Sequence, residues 1–274
     1  MDRSAAHTYR SRLTPKSNGW LFSPKPDREA ELRLFCFPYA GAGASVFNSW
    51  PDLLPSQVEL WSVQLPGREN RRTEPPFTRI QPLVTALADV VQPYLDIPFA
   101  FYGHSMGALV SFELARSLRR QGFPLPKGLF VSGHRAPQLP APHAPLYDLP
   151  RAEFLSRLHS MGGTPDDVLG NPELMEIFVP LLRADFELCE TYQYSDDAPL
   201  DCRIACFGGL EDPRVKPEDL SAWRAQTTVP FHLRFFPGAH FFLHTSKTLL
   251  LRELGQDLKE ILRRLRRRVY SGGL

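Results

Sequence analysis

The chain has 274 residues, of which 43% are apolar and 23% charged, with a formal net charge of +2. Those values exclude a disordered acidic chain and a general polyanion binder, and the length suits one large domain or two small ones. The charge is concentrated near the end: Lys259, Arg263, Arg264, Arg266, Arg267 and Arg268 face only Glu260, so the rest of the chain is weakly acidic.

No apolar run reaches the ~20 residues needed to span a bilayer, and residues 1–26 lack the apolar stretch of a secretory signal. Residues 1–19 read as a flexible N-terminal segment. Cys36, Cys189, Cys202 and Cys206 form no CxxC pair and have no histidines at zinc-finger spacing. They lie in mostly apolar surroundings, as expected of inert core thiols in a reduced, cytoplasmic protein. The 27 prolines are scattered as loop punctuation, and there is no internal repeat.

Leu32–Phe37, Leu60–Gln64, Phe99–Tyr102, Leu129–Ser132, Arg203–Phe207 and His232–Phe236 read as strands, several of them apolar without alternation, as in parallel strands buried on both faces. Helical patterns occupy Leu83–Leu95, Met106–Arg120 and Leu249–Arg267. This alternation predicts an α/β sheet with right-handed crossovers, one domain over residues 20–274. From Leu146 to Leu200 the rhythm breaks: the spacing of Phe154, Leu155 and Leu158, then Leu174, Ile177, Phe178, Leu181 and Leu182, is helical and no strand intervenes. A helical insertion over the sheet is expected at 146–200, and spacing alone leaves gating and simple packing equally open.

Gly103-His104-Ser105-Met106-Gly107 follows one apolar strand and opens a helix. In such a nucleophile elbow a sharp strand-to-helix turn carries the serine to its tip, and the flanking glycines remove side chains that would collide there. A serine needs a base and the base an orienting acid, in chain order Ser, Asp/Glu, His on loops after strands. The acid is Glu211 or Asp212; Asp212 is held extended by the following Pro213. His240, in a glycine-containing loop after a strand, is a better-placed base than His232, inside a strand pattern, or His244, one helical turn further on. His240 and His244 have no third ligand to make a metal site. One oxyanion donor is expected to be the backbone N–H of Met106, and the other to come from the loop Pro38–Gly43.

The blocks LFCFPYAGAGASVFNSW, LPGRENRRTEPPF, PFAFYGHSMGALVSFELARSLR, LFVSGHRAP, LLRADFELCETYQY, FGGLEDPRV and FPGAHFFL, in this order over roughly residues 20–245, resemble the type II thioesterases. These are stand-alone α/β-hydrolase enzymes that accompany polyketide synthases and nonribosomal peptide synthetases. The resemblance implies an α/β-hydrolase fold with a mostly parallel central sheet, flanking helices and a lid at 146–200. It implies Ser105 as nucleophile, Asp212 as acid, His240 as base, and Ala40 beside Met106 as the second oxyanion donor. Ala42 departs from the pattern, where the family usually has another glycine. The expected activity is hydrolysis of acyl thioesters on the phosphopantetheine arm of acyl or peptidyl carrier proteins, clearing aberrant or stalled groups. No metal or dissociable cofactor is expected, no nucleic acid or membrane partner, and a monomer. A chain-terminating fatty acyl thioesterase and a general carboxylesterase would use the same triad, and a non-catalytic carrier-binding scaffold would not need it. The amphipathic basic helix at the end is either a solvated packing helix or a docking site for an acidic carrier.

Overall fold

The computed structural model describes residues 19–141, 143–162 and 170–271. The expected flexible segment at 1–19 therefore lies outside the described residues, apart from Gly19.

Among the described residues the strands are β1 (Leu21–Phe22), β2 (Leu32–Phe37), β3 (Val58–Val63), β4 (Phe99–His104), β5 (Gly128–Ser132), β6 (Arg203–Gly209) and β7 (His232–Phe236). They form one sheet in the order β1-β3-β2-β4-β5-β6-β7, in which only β1 is antiparallel to its neighbour. Each central strand sends alternate residues to two separate cores. Phe35, Phe37, Phe99 and Phe101 meet helices α1 (Ile80–Val91) and α2 (Met106–Arg120) on one face. Leu32, Leu34, Ala100 and Tyr102 meet Phe47, Trp50 and the final helix on the other. Both faces are thus covered, which accounts for strands with little alternation of apolar and polar residues.

Three differences from the sequence expectation have physical causes. Strand β3 runs from Val58 to Val63, not from Leu60 to Gln64: Glu59, a charged residue ahead of the apolar run, is buried against Arg33 at 3.2 Å. Helix α1 begins before Pro82, which sits in its first turn and so removes no helical hydrogen bond. Strand β1 is only two residues long, too short for any periodicity.

The insertion contains α3 (Arg151–Met161) and α4 (Pro172–Glu190). Asn171 caps α4 by accepting the N–H groups of Glu173 and Leu174 at 3.0 and 3.2 Å, with Pro172 in the first turn. Phe154, Leu158, Met175, Val179 and Leu182 form a small core of their own, distinct from the two cores of the sheet. The insertion is shorter than expected. Leu188, Tyr192, Tyr194 and Leu200 pack into the body, so residues 191–200 return to the sheet instead of continuing the helical layer.

After β6 come α5 (Pro217–Ser221) and a helical turn at Ala222–Gln226; after β7 come α6 (Phe242–Thr245) and α7 (Lys247–Ser271). Helix α7 lays Leu250, Leu251, Leu254, Leu258, Ile261 and Leu262 on the sheet. It starts at the carboxyl edge of the strands, where Lys247 reaches Ser49. It ends past the amino edge, where Arg266 holds Glu31. No helix among the described residues is long and apolar enough to cross a membrane.

Candidate active site

Strand β4 breaks sharply at Ser105, whose φ of 51° and ψ of −118° lie outside the regions an L-residue favours. Such a conformation costs about 1–3 kcal/mol and persists only where the surroundings enforce it. Here the Ser105 N–H donates to the Ser132 carbonyl at 2.7 Å, and the Ser105 carbonyl accepts from Ala108 at 2.9 Å. The flanking glycines are obligatory. A Cβ on Gly103 would lie 2.1 Å from the Gly107 carbonyl oxygen, and one on Gly107 would lie 2.1 Å from the Phe37 carbonyl oxygen. The elbow therefore packs backbone against backbone between the ends of β2 and β4.

Asp212 follows β6 and His240 follows β7, both at the carboxyl edge of the sheet where open α/β sheets gather their ligands. The His240 Nδ1 donates to Asp212 Oδ2 at 2.8 Å, with the two side chains 5% and 1% exposed. The other Asp212 oxygen accepts the Arg214 backbone N–H at 2.9 Å, which fixes the carboxylate plane. His240 Nε2 is buried and has no partner. Ser105 and His240 line one cavity of about 250 Å³, together with Ala40, Met106, Leu158, Leu182, Phe186 and Arg214. Burial, opposed by the Asp212 hydrogen bond and reinforced by the Arg214 charge, holds the His240 imidazole below the ordinary histidine range. An imidazole held below that range is neutral near pH 7, and His240 is part of the cavity wall.

The competing residues lie elsewhere. Glu211 is exposed. His232 opens β7 at the amino edge and pairs with Ala205. His244 Nε2 bonds the Tyr39 hydroxyl at 2.9 Å. The four cysteines are free, and burial pushes the Cys202 thiol up to about 12.

Four residues of the site escape a motif-based reading. Arg68 grips Asp185 of α4 and also donates to the Ala42 carbonyl at 3.2 Å, while Asp185 accepts the Gly41 N–H at 2.7 Å. Helix α4 is thereby fastened to the glycine-containing loop after β2. A signal exists for Asp185: it falls on the apolar stripe Leu181, Leu182, Leu188, where a carboxylate is out of place unless paired. His104 is fully buried, bonded to the Ser132 hydroxyl at 2.9 Å, with its ring 5.2 Å from that of His240. Arg214 projects into the cavity, and nothing in its spacing announces it.

A buried Asp–His pair sharing a cavity with a strained serine, on a mostly parallel sheet covered on both faces, defines the α/β-hydrolase class of fold and site. Comparison with known proteins narrows this. Residues 32–258 match the thioesterase domain family. The chain is 46% identical to the gramicidin S biosynthesis protein GrsT of Aneurinibacillus migulanus, over 89% of this chain and 96% of that protein. Among solved structures it is similar to RedJ, a thioesterase from the prodiginine pathway of Streptomyces coelicolor. The TM-score is 0.79 at 41% identity, covering 83% of this chain and 90% of that one. It is also similar to BorB, the type II thioesterase of the borrelidin cluster, with a TM-score of 0.80 at 32% identity over 87% of this chain and 97% of that one. The chain belongs to the thioesterase family and, with these relatives, to its type II group.

Proposed function

We propose that this thioesterase hydrolyses acyl groups from the phosphopantetheine arm of acyl or peptidyl carrier proteins in the cytoplasm, clearing aberrant or stalled groups from a polyketide or nonribosomal peptide synthase. The observation that carries the reading is the Asp212–His240 hydrogen bond in the same cavity as the strained Ser105. His240 Nε2 takes the Ser105 proton as the hydroxyl attacks the thioester carbonyl, and Asp212 keeps the imidazole in the required tautomer and stabilises the imidazolium. His240 then returns the proton to the leaving thiol and activates a water against the acyl-enzyme.

Met106 and Ala40 supply the oxyanion donors. Met106 stands at the amino end of α2, whose dipole favours negative charge. In the loop after β2, Gly41 and Ala42 have committed their N–H groups to Asp185 and to the Tyr39 carbonyl, whereas Ala40 lines the cavity with Ser105. Each donor is worth about 10²–10³ in rate. Helices α3 and α4 act as the lid, since Leu158, Leu182 and Phe186 wall the cavity. The modest cavity, bordered by charged Arg214 and Glu190, favours short or polar acyl groups over a long fatty chain.

The test is incubation with carrier proteins loaded with acetyl to long-chain acyl groups, followed by intact-protein mass spectrometry, with Ser105→Ala as control. Broad, Ser105-dependent release of short and branched groups is expected. A sharp long-chain optimum would assign chain termination instead. Cleavage of simple oxygen esters with no carrier deacylated would make the protein a general esterase.

A further inference from the structure

Arg214 is a cation placed where the reaction mechanism does not ask for one. Its side chain lines the cavity with Ser105 and His240, and its guanidinium carbon lies 5.3 Å from the centre of the Phe241 ring. That ring is 5.1 Å from the ring of His240. The guanidinium therefore shares the cavity with Ser105 and His240, Phe241 lies against both it and His240, and its charge is felt at His240. Of its five N–H donors, Nη2 holds the Met161 carbonyl at the end of α3, and the buried Nε has no partner. Among the described residues no carboxylate pairs with it. Asp212 is the anion that acts on it, and its two oxygens are committed to His240 and to the Arg214 backbone N–H. Of the other carboxylates lining the cavity, Asp185 is held by Arg68 and the Gly41 N–H, and Glu190 accepts the N–H groups of Leu146 and Tyr147.

A half-buried guanidinium with one buried donor left without an acceptor is costly to keep. This one also opposes the step that makes His240 an imidazolium. Both penalties fall if the bound acyl group itself places an oxygen acceptor against the guanidinium. We propose that Arg214 makes the cavity selective for acyl groups that carry an oxygen acceptor on carbon 3, as a 3-oxo group or a 3-carboxylate. The proposal rests on the reading of Ser105 and His240 as the reacting pair. Carbon 3 is close enough to the carbonyl to share the cavity with Arg214, and a hydrogen bond there screens the positive field on His240 as the imidazole takes its proton. The selectivity should therefore appear in kcat as well as in KM. An ammonium group on carbon 3 would be repelled.

The full-length protein and its Arg214→Met and Arg214→Gln variants would be compared on N-acetylcysteamine thioesters of 3-oxobutanoate, malonate, 3-methylbutanoate and β-alanine. The first two carry the acceptor as a neutral carbonyl and as a carboxylate. The third matches their size without an acceptor, and the fourth carries the cation. Each result is read as a ratio of kcat/KM to that of 3-methylbutanoyl, so that a variant's stability or active fraction cancels. The wild type should favour at least one oxygenated substrate by about 10- to 100-fold, the worth of a hydrogen bond to a charged group. Arg214→Met should abolish that preference and raise the β-alanyl ratio, with Arg214→Gln between the two. The 3-oxobutanoyl and malonyl arms decide whether the neutral or the charged acceptor is preferred. Equal ratios in wild type and variants would overturn the proposal and leave Arg214 as a tether for the Met161 carbonyl, with the thioesterase reading intact. If the wild type cleaved no thioester, the reading of the reacting pair would fall, and this proposal with it.

Discussion

The Arg68 guanidinium holds the Asp185 carboxylate through two parallel hydrogen bonds of 2.8 Å, with both side chains less than 5% exposed. This pair joins the loop after β3 to the lid helix α4, and through the Gly41 N–H and the Ala42 carbonyl it also sets the loop that carries Ala40. Asp185→Ala leaves a buried cation without its partner, a loss of about 3–5 kcal/mol. Urea unfolding should show it, and, if Ala40 is an oxyanion donor as proposed, kcat should fall further than KM rises because its loop is released. The double change Arg68→Met with Asp185→Leu should recover much of the stability but little of the kcat. Equal recovery of both would mean that the pair serves the fold alone.

Gly103→Ala and Gly107→Ala each drive a methyl to about 2.1 Å from a carbonyl oxygen. Backbone cannot yield there as a flexible side chain would, so both variants should lose most soluble protein. Any folded fraction should fail to react with a fluorophosphonate probe of Ser105. A variant with normal labelling would show that the elbow tolerates a wider turn.

The pH profile follows from the groups that face His240: Asp212, Arg214 and the ring of His104. As the proposed base, His240 must be neutral, and its affinity for protons is lowered by burial and by Arg214. The acid limb of kcat/KM should therefore lie below pH 6.5, the ordinary histidine value. Arg214→Met removes a positive charge and should move that limb upward. Asp212→Asn removes the raising hydrogen bond and should move it downward while lowering kcat by about 10⁴.

Fold stability should titrate over a related window. Burial depresses the proton affinity of His104 strongly, of His134 to about 4, and of His240. Below about pH 6.5 the unfolded chain binds protons that the folded chain refuses, so ΔG of unfolding rises with pH there. The urea midpoint should fall steadily from pH 7 to pH 4, and the slope should lessen in His134→Gln. A flat midpoint would mean that these imidazoles protonate in place.

Much of the fold was legible because parallel strands covered on both faces appear as short apolar runs; α2 and β7 have the bounds that periodicity predicts. The elbow and the Asp212 and His240 loops were legible as places because each directly follows a strand that the apolar runs mark. The same logic could not find Arg68, Asp185 or Arg214. Their meaning depends on contacts across 117 residues for the ion pair and on one cavity wall for Arg214, and no local period encodes either. Glu59 misled in the same way, since its partner Arg33 lies on the neighbouring strand.

The basic end of the chain is a further case of local pattern outrunning geometry. Arg264 and Arg267 border a cavity of about 640 Å³ among Lys127, Arg203 and His232, at the amino edge of the sheet. Ser105 and His240 stand at the carboxyl edge, a strand length or about 20 Å away. A carrier bound at the basic end would face away from the serine. Arg263→Glu with Arg264→Glu should therefore change carrier deacylation by less than twofold, at low salt as at high. A large, salt-sensitive loss would restore the docking role.

That separation has a practical corollary. Helix α7 spans roughly 37 Å at 1.5 Å per residue, long enough to carry whatever is attached at its far end clear of the catalytic mouth. A surface anchor, reporter or second enzyme joined there would leave α3 and α4, which wall the cavity, unobstructed. Joined between α3 and α4, it would burden the two helices that wall the cavity. For immobilised reactors or fused assembly lines, the carboxyl end is the handle this architecture offers.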